Sequence, residues 1–329
     1  RGLADQTYPN LQVIVVDDGG DDDTADVVSE FARHDRRFRL VRSPDNVGSY
    51  ACRNLGLAEA TGDFITVHDA DDWSHPEKIA TQLTRLKKSK APYNLAMWVR
   101  ATTGLRFRAN DAYSFRYLGP DHSSAMFRRE VFERWGHWDC VRISADTEFM
   151  WRIENGLGRS SDDIKGRRVM QNCPLAIGRI GSGSLTRHGR THISTIRFGV
   201  RAEYRNAALH WHRSLNPAAS LSRLAPPETH FPVPQFIRAK PGTNEDPDAL
   251  VVGDFHRLDE HSPLVRQLEE LVALHRGSCA LFHYPDYETA ADVSMSAFAR
   301  EFAWQHGMRI VVAGEALEVA TTYVFDIRL

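Results

Sequence analysis

Cysteine is scarce: Cys52, Cys140, Cys173 and Cys279 lie far apart and form no CxxC pair. That spacing excludes a recognisable zinc site and a disulfide framework, and makes a reducing cytoplasmic compartment the default expectation. No apolar run approaches the roughly 20 residues a membrane span needs. No signal peptide is visible, and the localisation expected is cytoplasmic, with peripheral association at the inner face of the membrane. An excess of one charge is also missing. With 41 basic and 43 acidic residues the net charge is −2, which gives no global electrostatic case for nucleic acid or anionic lipid as a partner. Basic clusters at 33–42 and 85–90 fall at the ends of predicted helices, where a solvated face accounts for them. An initiating Met is absent as well, and the first ten residues read as a helix end plus a turn. The expectation is a fragment whose true N-terminus lies upstream.

What is present is an ordinary globular composition, 42% hydrophobic and 26% charged over 329 residues, enough for a sizeable core and about two domains. The chain is organised around residues 62–73. Phe64, Ile65, Thr66 and Val67 form a short apolar, β-rich run, the pattern of a strand buried on both faces. The run stops in Asp69, Asp71 and Asp72, then Trp73. Open α/β sheets bind ligands at the carboxyl ends of their strands. Carboxylates this close repel one another and call for a cation, and oxygen ligands suit Mg²⁺ or Mn²⁺ with a substrate phosphate completing the shell. An isolated Asp-x-Asp is more often a solvated turn capping a helix, so the context decides.

Residues 11–16 form a strand that also ends in acid, at Asp17 and Asp18, followed by Gly19 and Gly20. The glycines allow a tight turn and close backbone approach to a ligand. A helix follows through about His34, with an N-cap offered within 21–24. Then come a short strand at 38–42, a loop at 43–48 and a helix at 49–60 carrying Arg53 and Asn54. The succession strand, helix, strand, helix, strand is the doubly wound α/β pattern.

These residues carry a resemblance. Tyr8-Pro9-Asn10, Val16-Asp17-Asp18-Gly19, Asp23-Thr24, Asn46-Val47-Gly48, Arg53-Asn54-x-Gly56, Ala60-x-Gly62-Asp63 and Asp69-Ala70-Asp71-Asp72 together resemble the inverting family 2 glycosyltransferases of the GT-A fold. The likeness runs over residues 1 to about 215. The family's usual first strand and helix are missing, in accord with a truncated start. The resemblance implies a mixed, doubly wound GT-A sheet. It also implies that Asp17 or Asp18 reads the nucleoside base, that Arg53 lies near base or diphosphate, and that Asp69 and Asp71 hold the ribose and the metal, Mn²⁺ or Mg²⁺. A carboxylate can accept from a uracil N–H or a ribose hydroxyl, and Arg can neutralise phosphate. Without the resemblance, Arg53 is as readily a helix-surface cation.

Residues 77–90 form an amphipathic helix, and 95–100 with 105–109 suggest a hairpin about Thr103-Gly104. Residues 123–139 resemble the family's acceptor-side segment. In Ser144-Ala145-Asp146-Thr147-Glu148, the family's Glu-Asp pair is replaced by Ala145-Asp146. The resemblance makes Asp146 the general base, although the stretch alone reads as an ordinary N-cap; Glu148 reads as structural. Residues 169–186 resemble the last strand and Ser-Leu-Thr loop. His188 and His192 follow, and neither is placed in the site. A helix at 197–215 closes the domain expected over residues 1–215. Residues 216–248 are Pro-rich and read as a linker. A second strand–helix alternation, with strands at 249–252, 279–283, 308–313 and 321–325 and helices at 263–274 and 290–305, reads as a partial Rossmann-like α/β domain over 249–329. It faintly resembles the N-terminal half of a GT-B glycosyltransferase but has no G-x-G-x-x-G fingerprint, and no chemistry is assigned to it.

The function expected is metal-dependent transfer of a sugar from a nucleotide-diphospho-sugar, a UDP-sugar by preference, to a hydroxyl of a glycan or lipid-linked glycan acceptor, in surface polysaccharide synthesis. Two rivals are a sugar-nucleotide nucleotidyltransferase, which would need a Gly-rich, basic N-terminal signature not seen here, and a non-catalytic nucleotide- or glycan-binding module.

Overall fold

The structure is a computed structural model. It describes residues 2–109, 116–158, 173–181, 186, 189–196, 198–216, 229–239, 246–285 and 293–325. Within the stretch 169–186 expected as the last strand and its loop, residues 169–172 and 182–185 lie outside the described residues, as does His188, while 173–181 and 186 are described. By internal contacts the chain divides into two compact units: Arg1–Asp139, Ala145–Ser184 and Leu215–Leu224 in one, and Cys140–Ser144, Leu185–Ser214 and Ala225–Leu329 in the other.

The first unit begins with strand β1 (Val13–Asp17), helix α1 (Thr24–His34), strand β2 (Phe38–Arg42), helix α2 (Ser49–Glu59) and strand β3 (Phe64–Thr66). Strands β1 and β2 pair in parallel, with Val13 opposite Phe38 and Asp17 opposite Arg42. The crossover between them is α1, as a parallel pair requires. Next come β4 (Trp73–Ser74), α3 (Lys78–Lys87), β5 (Tyr93–Asn94), β6 (Met97–Ala101), β7 (Phe107–Arg108), β8 (Gly119–Pro120), β9 (Met126–Arg128), α4 (Glu130–Trp135), α5 (Ala145–Gly156) and β10 (Ala176–Arg179). Strand β3 pairs antiparallel with β9, which pairs antiparallel with β5. Strand β10 lies between β4, antiparallel, and β6, parallel. The unit is therefore a mixed α/β structure. The hairpin expected about Thr103-Gly104 is β6–β7, antiparallel as expected.

Its core is aromatic. Phe127 lies 5.4 Å from Tyr93, Phe132 and Phe149, and 6.0 Å from Trp138. Beside these rings Arg152 is wholly buried, its Nε donating to Glu148 Oε1 at 2.9 Å and its Nη1 to the carbonyls of Trp135 and His137. Asp139, also buried, sits 3.6 Å from Arg152 Nη2. Glu148 is thus a structural group.

The second unit contains α6 (Val200–Ser214), β11 (Ala249–Gly253), α7 (Pro263–Leu274), β12 (Cys279–His283), α8 (Ala297–Gln305), β13 (Arg309–Val311) and β14 (Thr321–Phe325). All four strands are parallel, in the order β13–β12–β11–β14. Ser262 caps α7 through Leu264 N–H, with Pro263 at the first helical position, and Ser296 caps α8 through Ala299 N–H. The helix read as closing the first domain, α6, packs here: Tyr204 meets Phe231 at 5.4 Å, and Glu203 pairs with Arg300 at 2.7 Å. No described helix is long and apolar enough to cross a membrane.

Removing one partner of a buried ionic network leaves an uncompensated charge and costs about 3–5 kcal/mol. Arg152→Met is expected to lower the unfolding free energy by about that amount, read as a shifted urea midpoint.

Candidate functional site

The carboxyl ends of β1 and β3 bring the acidic residues to the site. Asp17, the last residue of β1, is 7% exposed; it accepts from Gly20 N–H at 3.3 Å and faces Arg42 Nε at 3.4 Å. Asp18 accepts from the N–H groups of Val47 and Gly48, one on each oxygen, at 2.6 and 2.8 Å. Those bonds fasten the loop that leads into α2 against the end of β1. Between the two strands' loops, Gly19 adopts φ +71°, and a Cβ there would come within 3.0 Å of the Asp45 backbone. Only glycine fits such an approach at that φ.

Arg53, on α2, is the meeting point. Its Nη2 donates to Asp69 Oδ1 at 2.8 Å, and its guanidinium lies 4.7 Å over the Tyr50 ring. Burial alone would lower this guanidinium's pKa, but the charges of Asp69, Tyr50 and Asp146 outweigh it and the net shift is upward. The structure therefore brings three sequence-predicted residues, Arg53, Asp69 and Asp146, into one electrostatic group. Arg53 Nη1 is buried with no hydrogen-bond partner. A buried donor with nothing to bond is costly and is the group an incoming anion would satisfy. Asp146 stands in the first turn of α5, with Oδ1 accepting from Thr147 N–H at 2.7 Å.

Asp71 and Asp72, on the same loop, are both engaged by Arg179. Asp71, half exposed, lies 3.4 Å from Arg179 Nε, and Asp72 accepts from Arg179 N–H at 2.8 Å. Burial pushes Asp72 up to about 7, with Asp69, Asp71 and Asp121 adding to the shift and the Arg179 N–H opposing it.

Beneath the loop is a support that the sequence reading did not include. Lys78, 2% exposed, donates from Nζ to Ser74 Oγ at 3.3 Å, and Ser74 Oγ meets His68 Nδ1 at 3.1 Å. Burial lowers Lys78, while Asp121, Asp72 and Asp69 pull it the other way. His68 is pushed down to about 4, first by burial and then by the Lys78 charge, so it is neutral at physiological pH. A signal existed: Lys78, Gln82 and Leu86 are spaced four apart, on one stripe of α3, and all are buried. A lysine on the buried stripe of an amphipathic helix needs anions above it.

For a divalent ion the donor set fits in one way. Among the described residues no cluster of three or more His, Cys, Asp or Glu forms a metal cage. Mg²⁺ and its kin are held by one or two carboxylates plus substrate phosphates and water, and Asp69 and Asp71 supply two hard oxygen groups on one loop. In the second unit, His192 Nδ1 lies 2.8 Å from Ser194 Oγ.

Residues 1–136 match the family described as "Glycosyl transferase family 2". An "Uncharacterized glycosyltransferase" of Haemophilus influenzae is 38% identical over 78 residues, 24% of this chain and 31% of that protein. The "Putative glycosyltransferase EpsH" of Bacillus subtilis is 40% identical over 77 residues, 23% and 22% of the two chains. The "Putative teichuronic acid biosynthesis glycosyltransferase TuaG" of the same organism is 33% identical over 83 residues, 25% and 33%. The chain thus spans a third or less of these relatives. Among solved structures, S. aureus TarS 1-349 in complex with UDP-GlcNAc aligns at TM-score 0.43 and 16% identity, over 67% of this chain and 62% of that one. The mannosyltransferase PcManGT from Pyrobaculum calidifontis, in complex with GDP-Man and Mn2+, aligns at 0.42 and 21%, over 65% and 57%.

Asp18→Ala removes two charge-assisted bonds to backbone N–H groups, each worth about 1.5–3 kcal/mol. The variant is expected to lose stability by roughly 3–6 kcal/mol in urea unfolding, with faster amide exchange at Val47 and Gly48.

Proposed function

With residues 1–136 as a glycosyl transferase family 2 segment, we propose that the first unit transfers a sugar from a nucleotide-diphospho-sugar to a hydroxyl of a glycan acceptor, with inversion. The proposed product is a surface polysaccharide. The observation that carries the reading is the convergence of Arg53, Asp69 and Asp146, with a buried and unpartnered Nη1 on Arg53. A cation with a spare donor, an acid that could share a metal, and a separate carboxylate at a helix start are the parts such a transfer uses.

In the proposed step, Arg53 binds the diphosphate through its spare donor and offsets the charge of the leaving group. Asp146 accepts the proton of the acceptor hydroxyl while that oxygen attacks the anomeric carbon. The bond from that carbon to the diphosphate oxygen breaks, and the nucleoside diphosphate departs on the opposite face. Asp69 and Asp71 would hold a divalent ion, which when bound stabilises charge on the diphosphate. Asp17 or Asp18 would accept from the base, with uridine the favoured nucleoside. His68, neutral, and the buried Lys78 keep the acidic loop in position.

The test is a thermal-shift titration of the full chain with UDP, GDP, CDP and dTDP, each with and without Mn²⁺. A ligand at about 100 times its Kd stabilises a fold by ~2.7 kcal/mol. One nucleotide is expected to raise the melting temperature with Mn²⁺, and Asp71→Asn to remove the metal-dependent part. No response to any of the four would count against the reading.

Asp146→Asn separates catalysis from binding. The variant is expected to keep the full nucleotide response while turnover of the matching nucleotide-sugar falls on the order of 10²–10⁴-fold, the usual contribution of a general base. Equal turnover in variant and wild type would remove Asp146 from the mechanism.

A further inference from the structure

Arg53 and Asp146 act on each other without touching. Arg53 feels the Asp146 charge, yet among the described residues no hydrogen bond joins them: Arg53 Nη2 donates to Asp69, and Asp146 Oδ1 accepts from Thr147. Two groups that work on opposite sides of one anomeric carbon therefore owe their separation to the scaffold between them. That scaffold starts at the residue beside Arg53. Asn54, 3% exposed, donates from Nδ2 to the Trp138 carbonyl at 2.7 Å and accepts the Trp138 N–H on Oδ1 at 3.2 Å. The amide gives to a carbonyl and takes from an N–H of the same residue, so it fits in one orientation only.

Trp138 lies in the turn that follows α4, which opens at Gly136 with φ +73°. Its ring is wedged among Phe132, Phe149 and Phe127 at 5.0, 5.5 and 6.0 Å. From the other side α5 holds the same turn. Arg152 Nη1 donates to the Trp135 and His137 carbonyls at 2.9 and 2.8 Å, and Arg152 Nη2 lies 3.6 Å from Asp139. Arg152 and Asp146 ride on that one helix, about 9 Å apart along its axis. The helix of Arg53 and the helix of Asp146 are thus tied to a single buried turn, all within the first unit. Each helix also has its own seat: α2 against β1, where a Cβ on Gly56 would meet Val16 at 3.3 Å, and α5 through the Phe149 ring. The clamp fixes what those seats leave adjustable, the offset of one helix from the other.

Resting on the transfer reading above, we propose that Asn54 is a positioning residue for that reaction, its two-way clamp on the Trp138 backbone setting the distance from the diphosphate-binding Arg53 to the base Asp146. Asn54 acts through its neighbours and meets neither donor nor acceptor.

The experiment is a double-mutant cycle of Asn54→Ala and Asp146→Asn on the full chain. It is read as hydrolysis of UDP-glucose, UDP-N-acetylglucosamine, GDP-mannose and dTDP-glucose with Mn²⁺, alongside the nucleotide thermal shift. In that side reaction water stands in for the acceptor: its oxygen bonds to the anomeric carbon, Asp146 takes its proton, and the bond to the diphosphate breaks. Rates are taken per folded molecule, from urea unfolding of each variant. Asn54→Ser, which keeps a hydroxyl for one of the two bonds, replaces Asn54→Ala if the latter does not fold. Asn54→Ala is expected to keep the wild-type nucleotide response and to hydrolyse roughly 100-fold more slowly, the loss that a 1 Å misplacement brings. In the Asp146→Asn background the same substitution is expected to cost nothing further, because a base that is gone cannot be misplaced. Equal rates in Asn54→Ala and wild type, or loss by the same factor in both backgrounds, overturns the proposal and leaves the transfer reading standing. So does loss of the nucleotide response in Asn54→Ala, since Asn54 would then be holding Arg53 itself. No hydrolysis of any nucleotide-sugar by the wild type sinks the transfer reading, and the positioning role with it.

Discussion

A buried guanidinium sets the architecture of the first unit's site. Arg53 is 11% exposed and cannot stay charged inside a protein without anions. It takes one from the loop after β3, through Asp69, and feels a second from the start of α5, through Asp146. Three chain segments that are distant in sequence are thereby fixed around one charge. The Tyr50 ring beneath the guanidinium keeps it flat, because a planar cation stacks on an aromatic face. Since Arg53 still has a buried Nη1 to give, the group is complete as a scaffold and incomplete as a hydrogen-bond network. That combination distinguishes Arg53 from the wholly satisfied Arg152, whose three donor nitrogens all have partners.

The acidic loop needs a different kind of support, because three carboxylates in four residues repel. Arg179 clasps it from the neighbouring strand, through backbone to Asp72 and through side chain to Asp71. Lys78, Ser74 and His68 brace it from below. Lys78 is too deeply buried to meet a ligand, and His68 is held neutral. Both therefore act on position, by countering charge and fixing the turn, while the exposed carboxylate of Asp71 stays on the outside. The aromatic residue at the loop's end, Trp73, lies on the other side of the same short strand from Ser74.

Most of the α/β alternation was legible because its signals are local. Apolar runs ending in Asp17 and Asp69, and the helices at α1, α2, α3, α7 and α8, follow from period, with side-chain caps at α7 and α8. Strands β4, β5, β7 and β8 are two residues each, too short for any period to register, and they exist only because neighbours pair with them. The sequence identified Arg53, Asp69 and Asp146 as charged residues in suggestive places, but their mutual approach depends on how α5 returns to β3. Asp18 shows the same limit from the other direction. Its type suggested a ligand-reading carboxylate, and nothing local announced that its oxygens also hold the Val47 and Gly48 N–H groups. Lys78 was legible in principle, as a charge on a buried helical stripe, and was passed over because the stripe's leucines and isoleucine satisfied the helix pattern.

The second unit shows why topology does not by itself make a site. Its parallel sheet reverses direction of growth at β11, and open sheets of this kind bind ligands outside the carboxyl ends at such a reversal. Yet a Cβ on Gly253, at that end of β11, would meet the Phe255 ring at 2.9 Å and the Phe325 carbonyl at 3.2 Å. Nearby, His283 accepts from Phe255 N–H and donates to the Val293 carbonyl, and Asp254 is taken up by His256. Among the described residues, the polar side chains named there bond to one another and to backbone. In the first unit the same rule places Asp17 and Asp69 at strand ends, and there a buried cation keeps a donor in reserve. The difference between the two is a matter of hydrogen-bond accounting at a few residues, since fold class alone decides neither.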